Sequence, residues 1–261
     1  GPRRVQAGSL RDALLGARLV NGRAEANKAG GRVVKNVTGL DLARLQAGAM
    51  GRYGVLTEVT FKLLPRPAAR VTLALDGLDD ARALEALSGA LATPFEPSGA
   101  AHDATRRLTL LRLENNAEAI AYRAAELTRR LAPFGAVGRV ESDEADALWR
   151  DIRDLAPFGQ ARFSCVWRLA TAPSRAARIV AAATREAPMQ ALYDWGGGLV
   201  HLASESEDGL AAIRRAVGQG GALRLLRGPE EARAPVPDPA AALKQRVADA
   251  FDPDGVFAPA S

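Results

Sequence analysis

The chain has 261 residues, 48% of them hydrophobic, and a formal net charge of +5; that length buries a substantial core in one large or two ordinary domains. Cys165 is the sole cysteine, which excludes an intrachain disulfide and a thiolate metal cluster and points to a reducing compartment. The arginines are scattered, often paired near helix ends as at Arg129-Arg130 and Arg214-Arg215, with no basic stripe interleaved with aromatics, so nucleic acid is a poor partner. The apolar runs fall far short of the roughly 20 residues that a bilayer span requires, and no signal peptide is visible.

Leu14 to Asn27 reads as a β-hairpin, with Asn21-Gly22 supplying the positive backbone angles of a two-residue turn. Thr38 to Ala49 reads as a short helical stretch, and Gly54 to Leu64 as a strand ended by Pro65 and Pro67. Gly48, Gly51 and Gly54 stand at three-residue spacing where these two meet, and Val55, Thr57, Val59, Phe61 and Leu63 share one face of the strand. Glycines ahead of such a strand let the backbone approach something flat or anionic; the same spacing also serves a tight turn between helix and strand. A domain boundary is expected near Pro67, making 1–67 the first domain.

The stretch 68–227 reads as two copies of one unit. In the first, strand Arg70 to Leu75, helix Asp79 to Leu91, a weak strand Pro94 to Ser98, strand Arg107 to Leu113, helix Ala117 to Leu131 and strand Ala136 to Glu141 follow in order. Ile120, Ala124, Leu127 and Leu131 form one stripe of the second helix. Ser142 to Leu155 connects the copies as a helix whose apolar face carries Ala145, Leu148, Trp149, Ile152 and Leu155. The second copy runs through a strand with alternating Phe163, Cys165, Trp167 and Leu169, then a helix opened by Pro173 and continuing through Ile179 and Ala183. Strands Met189 to Tyr193 and Leu199 to Ala203, a helix through Leu210, Ile213 and Val217, and strand Ala222 to Leu226 complete it. Two strand-helix-strand-strand-helix-strand units imply a tandem ferredoxin-like α+β domain with helices on one face of antiparallel sheet.

The remainder, 228–261, reads as a Pro-rich linker to Pro239 and a last helix capped by Asp238, with Leu243, Val247 and Phe251 spaced for burial. Few side chains suggest catalysis. His102 and His201 are the only histidines, the latter inside a GLVHL strand where a structural role is expected, and no HxH or HxxH pair offers a metal site. Asp143, Glu144 and Asp146 suit a helix start. Gly196, Gly197 and Gly198 suit a hairpin turn with Trp195 packed beside it, because no Lys-Ser/Thr follows as in a phosphate loop.

The motifs KNVTG (Lys35–Gly39), GAMGRYGVLTEVTFKLLPRP (Gly48–Pro67) and FDPDGVF (Phe251–Phe257) resemble the PCMH-type FAD-binding region of the vanillyl-alcohol-oxidase-type flavoproteins. Within that family they look most like one branch, the FAD-binding subunits of bacterial glycolate oxidases, and GPRRVQAGSLRD, LWRDIRDLAPF and YDWGGGL extend the likeness from end to end. The resemblance implies the second half of a PCMH-type FAD-binding domain followed by the α+β repeats, with the last helix returning to the flavin domain. The pyrophosphate loop of such proteins lies upstream of the matched region, so the chain is expected to be a fragment, inactive alone.

The resemblance also implies FAD contacts from Ala7, Gly8, Ser9 and Leu10 and from Gly48, Ala49, Met50, Gly51, Arg52, Tyr53, Gly54 and Val55, made largely by main-chain groups. Ala49, Arg52 and Tyr53 stand where the family commonly has Ser, Thr and Leu, Leu40 where it has Tyr, and Ala258 where it has Asn. Oxidation of a small 2-hydroxy acid, glycolate to glyoxylate, is implied, in a complex with a second flavin subunit and an iron-sulfur subunit. The expected location is the bacterial cytoplasm, peripheral to the inner membrane through that complex. A non-catalytic structural subunit with a degenerate flavin site is the alternative. No residue of the chain stands out as a substrate base.

Overall fold

The computed structural model describes residues 1–31, 40–159, 162–206, 208–218, 220–229 and 240–257. Its backbone divides into two units: Gly8–Arg66 with Pro237–Ser261, and Gly1–Ala7 with Pro67–Val236. Short helical turns α1 (Arg4–Ala7) and α2 (Leu10–Ala13) come first, one in each unit. The first strands, β1 (Leu14–Val20) and β2 (Ala26–Gly30), form the hairpin, but its turn is not the two-residue one. The loop is five residues long. The Asn21 side chain accepts from the amides of Arg23 and Glu25 at 3.0 and 2.9 Å, and Ala24 takes the left-handed conformation with φ of 59°. Gly22 is required for space, since a Cβ there would lie 2.1 Å from the Asp252 carboxylate.

The helical stretch is a single turn, α3 (Leu42–Leu45), capped by Asp41, which accepts from the Arg44 amide. It is shorter than Thr38 to Ala49 because Gly48, with φ of 86°, stands in a conformation that ends a helix; Thr38 and the KNVTG motif lie outside the described residues. Strand β3 (Val55–Phe61) pairs antiparallel with β1 in a sheet of order β2-β1-β3. It is an edge strand, and its apolar face is not buried: Val55 and Val59 are 56% and 44% exposed, and Leu63 lies beyond the strand, 85% exposed. The core of this sheet is a small patch of Leu14, Ala17, Ala29 and Ala43 with Leu42 and Phe61 against it.

The α+β unit follows the expected order through β4 (Ala69–Asp76), α4 (Asp80–Leu91), β5 (Gly99–Asp103), β6 (Leu108–Asn115), α5 (Ala117–Leu131), β7 (Val137–Val140) and the connecting α6 (Ser142–Asp154). The second copy is β8 (Cys165–Thr171), α7 (Pro173–Glu186), β9 (Gln190–Asp194), β10 (Leu199–Ser204), α8 (Gly209–Val217) and β11 (Gly221–Arg227). All eight strands make one antiparallel sheet, β11-β8-β10-β9-β5-β6-β4-β7, so each copy has the ferredoxin-like order in which its first strand lies between its third and fourth. The copies join where β5 meets β9, with His102 opposite Tyr193 and Asp103 opposite Leu192.

Alternation along each strand sends side chains to two separate cores. Leu73, Leu75, Leu111, Leu113, Trp167, Leu169, Val200 and Leu202 pack with the apolar stripes of α4, α5, α7 and α8. On the other face Ala74, Ala101, Leu110, Leu192 and Val166 pack with Trp149 and Ile152 of α6 and with Phe158 and Phe163. One strand lies elsewhere than its composition suggests. Pro94 to Ser98 is not a strand; β5 is the GAAHD segment that follows, all five of its residues buried. A Cβ at Gly99 would crowd Trp149 at 3.0 Å.

The terminal helix α9 (Ala241–Phe251) has Ala240 at its N-cap; Asp238 and Pro239 lie outside the described residues, as does Ala258. Leu243 is 59% exposed and Ala248 is the buried position of the helix, so the expected burial at Leu243 does not occur. Phe251 anchors α9 to the small sheet's unit: its carbonyl accepts from the Gly22 amide at 2.9 Å, and its ring lies 5.6 Å from that of Tyr53.

Candidate functional site

The glycine segment after α3 is an exposed series of turns. Gly48, Met50, Gly51 and Gly54 have φ of 86°, 53°, 82° and 142°. The amides of Ala49, Arg52 and Gly54 bond back to Gln46, Ala49 and Gly51, whereas those of Gly48, Met50 and Gly51 find no acceptor among the described residues. A Cβ at Gly48 or Gly51 would meet nothing within 4 Å, so these two glycines are not set by packing. Gly54 is: its Cβ would fall 2.5 Å from the Val20 carbonyl. The Arg52 side chain has no carboxylate partner among the described residues. Free amides, left-handed glycines and an unpaired guanidinium suit one wall of a dinucleotide site. Tyr53 is different. Its side chain is buried against Phe251 and serves packing, while Ala49 and Val55 offer only backbone.

Ala7, Gly8, Ser9 and Leu10 do not share a unit: Ala7 falls with the α+β unit and Gly8 to Leu10 with the small sheet. Ser9 is the N-cap of α2, its hydroxyl accepting from the Asp12 amide at 3.3 Å and donating to the Asp12 carboxylate at 2.6 Å. Its hydroxyl is therefore committed to a capping box. Gly8 has φ of 71°, and Leu10 is 69% exposed.

A second group lies on the α+β sheet, on the face away from α4, α5, α7 and α8, and the sequence alone did not reveal it. Arg168 lies between the core residues Trp167 and Leu169, His201 between Val200 and Leu202, and Arg224 between Leu223 and Leu225, so all three project from the opposite face. The register sets His201 opposite Arg168 and Arg168 opposite Arg224. The Arg168 guanidinium stands 5.5 Å from the Trp195 ring centroid and that of Arg4 5.3 Å from it. Trp195 holds this place with φ of 56°, an uncommon conformation for a bulky side chain. The three glycines after it turn tightly: a Cβ at Gly196 would lie 2.5 Å from Leu91.

The same face carries two acid-base groups displaced in opposite directions. Burial pushes the Asp194 carboxyl up to about 6 and the His201 imidazole down to about 4, the latter reinforced by the charge of Arg168. Nδ1 of His201 is buried without a hydrogen-bond partner among the described residues. His102, by contrast, is structural. It is fully buried, with Nδ1 2.9 Å from the Thr109 hydroxyl and Nε2 3.4 Å from the Asp80 carboxylate, to which the Tyr193 hydroxyl also donates at 2.6 Å.

These displacements predict opposite pH effects on stability. Folded protein keeps the Asp194 proton up to about pH 6 while the unfolded chain loses it near 3.8, so Asp194 destabilises the fold increasingly as pH rises through that window. Unfolded His201 gains its proton near 6.5 and the folded form near 4, so this residue destabilises the fold increasingly as pH falls between them. Asp194→Asn should therefore gain stability over the native chain as pH rises from 4 to 6, and His201→Asn as pH falls from 6.5 to 4. Each gain should reach about 2–3 kcal/mol at its limit. Urea titrations across this range check it; parallel profiles for both variants and the native chain would refute it.

No protein-family model matches the chain. Over an alignment of 264 residues it is 34% identical to glycolate oxidase subunit GlcE of Escherichia coli K12, covering 99% of this chain and 67% of that protein. The chain belongs to the GlcE family of glycolate oxidase subunits. A 73-residue stretch of this GlcE-family chain is also 37% identical to glycolate oxidase subunit GlcD of Bacillus subtilis, covering 28% of the chain and 16% of GlcD.

Among solved structures, the GlcE-family chain superposes on alkyldihydroxyacetonephosphate synthase with a TM-score of 0.69 at 12% identity, over all of this chain and 56% of that one. It superposes on a VAO-type flavoprotein of Myceliophthora thermophila with a TM-score of 0.58 at 14% identity, over 98% of this chain and 57% of that one. The fold is thus that of the VAO and PCMH-type proteins, and the chain spans a little over half the length of these structures. Among the described residues no helix is long and apolar enough to cross a membrane.

Proposed function

We propose that this chain supplies part of an FAD site in a glycolate oxidase complex that oxidises glycolate to glyoxylate. The observation that carries this reading is the glycine segment of a GlcE-family chain, where the amides of Gly48, Met50 and Gly51 find no acceptor among the described residues and packing against those residues sets neither Gly48 nor Gly51. Gly48, Ala49, Met50, Gly51, Arg52, Gly54 and Val55 would hold the cofactor, mainly by backbone N–H and C=O groups, with the Arg52 charge facing its phosphates. FAD, when bound, supplies the two-electron acceptor for the alcohol carbon. Gly8 and the backbone of Ser9 and Leu10, in the same unit, complete the set. Electrons leave through an iron-sulfur subunit, with a second flavin subunit in the same complex.

The visible spectrum of the protein purified with its partner subunits, and the cofactor released on denaturation, test this reading. Gly51→Val forces a branched side chain into φ of 82° with open space around it, so the fold should hold. Its flavin content should fall about tenfold, the equivalent of roughly 1–3 kcal/mol of backbone strain and lost approach. Absence of flavin from this subunit in the assembled complex would refute the reading. A structural subunit with a degenerate flavin site is favoured by one observation, the commitment of Ser9 to a helix cap and of Tyr53 to packing. It predicts partner capture without flavin.

A further inference from the structure

On this sheet face like charges gather around Trp195. Arg168 and Arg224 are directly opposed on neighbouring strands, and Arg4 reaches the same Trp195 ring that Arg168 faces. None of the three pairs with a carboxylate among the described residues, although arginines elsewhere on the chain do so freely, as at Arg3–Glu114, Arg70–Asp146 and Arg215–Glu186. Like charges directly opposite each other on a sheet are destabilising, and a half-buried guanidinium without a partner adds to that cost. The Arg168 charge is disfavoured first by burial and then by Arg224 and Arg4. Beside it the buried Nδ1 of His201 is without a hydrogen-bond partner among the described residues. A bound anion accepting from the guanidiniums offsets their charges together.

We propose that Arg168, Arg224 and Arg4, with His201, form a binding site for the carboxylate of a small 2-hydroxy acid on this sheet face. Arg168 provides the planar fork for the two carboxylate oxygens. Arg224 and Arg4 add charge, and Trp195, with the guanidiniums of Arg4 and Arg168 within 5.5 Å of its ring centroid, bounds the space available. His201 is neutral at physiological pH, so its Nε2 can exchange a hydrogen bond with the 2-hydroxyl without adding repulsion to the arginines. The choice of a 2-hydroxy acid rests on the proposed function; the anion site itself rests on the charge arrangement.

Proton NMR of the whole chain reads this site directly, because His102 and His201 are the only histidines. Titration with glycolate, without flavin, should shift the His201 ring resonances saturably and leave those of the fully buried His102 in place. Methyl glycolate, which lacks the carboxylate, should have no such effect. Arg168→Met should weaken the response at least about tenfold, the loss expected for a charge-assisted pair, while an unchanged His102 signal confirms the fold. An unmoved His201, an equal response to sulfate at matched ionic strength, or native binding by Arg168→Met would each overturn the proposal. A chain that binds flavin but fails this titration leaves the proposed function intact. One that binds glycolate here but carries no flavin in the assembled complex retains this site and loses that function.

Discussion

Trp167→Ala should destabilise the α+β unit by about 3–5 kcal/mol, a large share of the roughly 5–15 kcal/mol that holds a typical domain together. The Trp167 side chain is fully buried in the helical core, opposite Leu202 on one side and Leu225 on the other. The chain is built tightly around it. Gly209 at the start of α8 packs close to it: a Cβ there would lie 3.0 Å from the Trp167 ring. Removal of the indole therefore leaves a cavity that a fixed helix end and a continuous sheet cannot collapse into. Trp167→Phe should cost less, because it retains much of the volume and deletes an indole N–H that is buried without an acceptor among the described residues. Urea denaturation monitored by circular dichroism measures both. A loss below about 1 kcal/mol for the alanine variant would show that the core at this position is loose.

Glu114→Ala should cost about 3–5 kcal/mol, for an electrostatic reason. Only 4% of the Glu114 side chain is exposed; it accepts from Arg3 at 2.9 Å and lies 3.5 Å from Arg112, itself only 8% exposed. Burial opposes its charge, but the Arg3 and Ser98 hydrogen bonds and the Arg112 charge hold its carboxyl below the usual range. Desolvation has already lowered Arg112 to about 10. Without Glu114 its hydrogen-bond and ring partners are neutral, the Ser98 hydroxyl and carbonyl and the face of Trp149 at 4.5 Å, and the Asp194 carboxylate is left to act on its charge through space. Removing the cation as well, in Glu114→Ala with Arg112→Met, should recover much of the loss. Because the Glu114 pKa is lowered on folding, its stabilisation is complete above the unfolded carboxylate value and disappears as pH falls through the folded one. The deficit of Glu114→Ala should therefore shrink in acid. A deficit constant with pH would contradict this account.

Much of the α+β unit was legible because its elements follow clean periodicities. Helix α5 was read at its observed bounds, since Asn116 caps it and its apolar stripe has helical spacing throughout. The strand around Trp167 was equally clear, with apolar side chains alternating from Phe163 to Leu169. The segment GAAHD was missed for the opposite reason. Small residues and a histidine carry little strand signal, and only the packing of Trp149 over Gly99 and the junction with β9 show why they belong there.

The glycines of the flavin-like segment were legible as a motif, but their roles were not. Gly54 answers to the Val20 carbonyl, whereas Gly48 and Gly51 answer to no neighbour. Tyr53 looked like a substitution within a binding segment and is a packing residue against Phe251. His201 looked structural inside its apolar strand because sequence periodicity reports which face a residue takes and not what else shares that face.

The sequence by itself determined the order of elements, the tandem repeat and the likeness to a glycolate oxidase subunit, because capping, alternation and motif spacing are local properties of the chain. Only the tertiary structure decided which glycines are free, which polar side chains are already committed, and that Arg168, Arg224 and His201 stand in one row. Arg168 and Arg224 are 56 residues apart in the chain yet neighbours across one strand pairing. Charge repulsion, desolvation and hydrogen-bond satisfaction depend on distances through space, and strand register sets those distances.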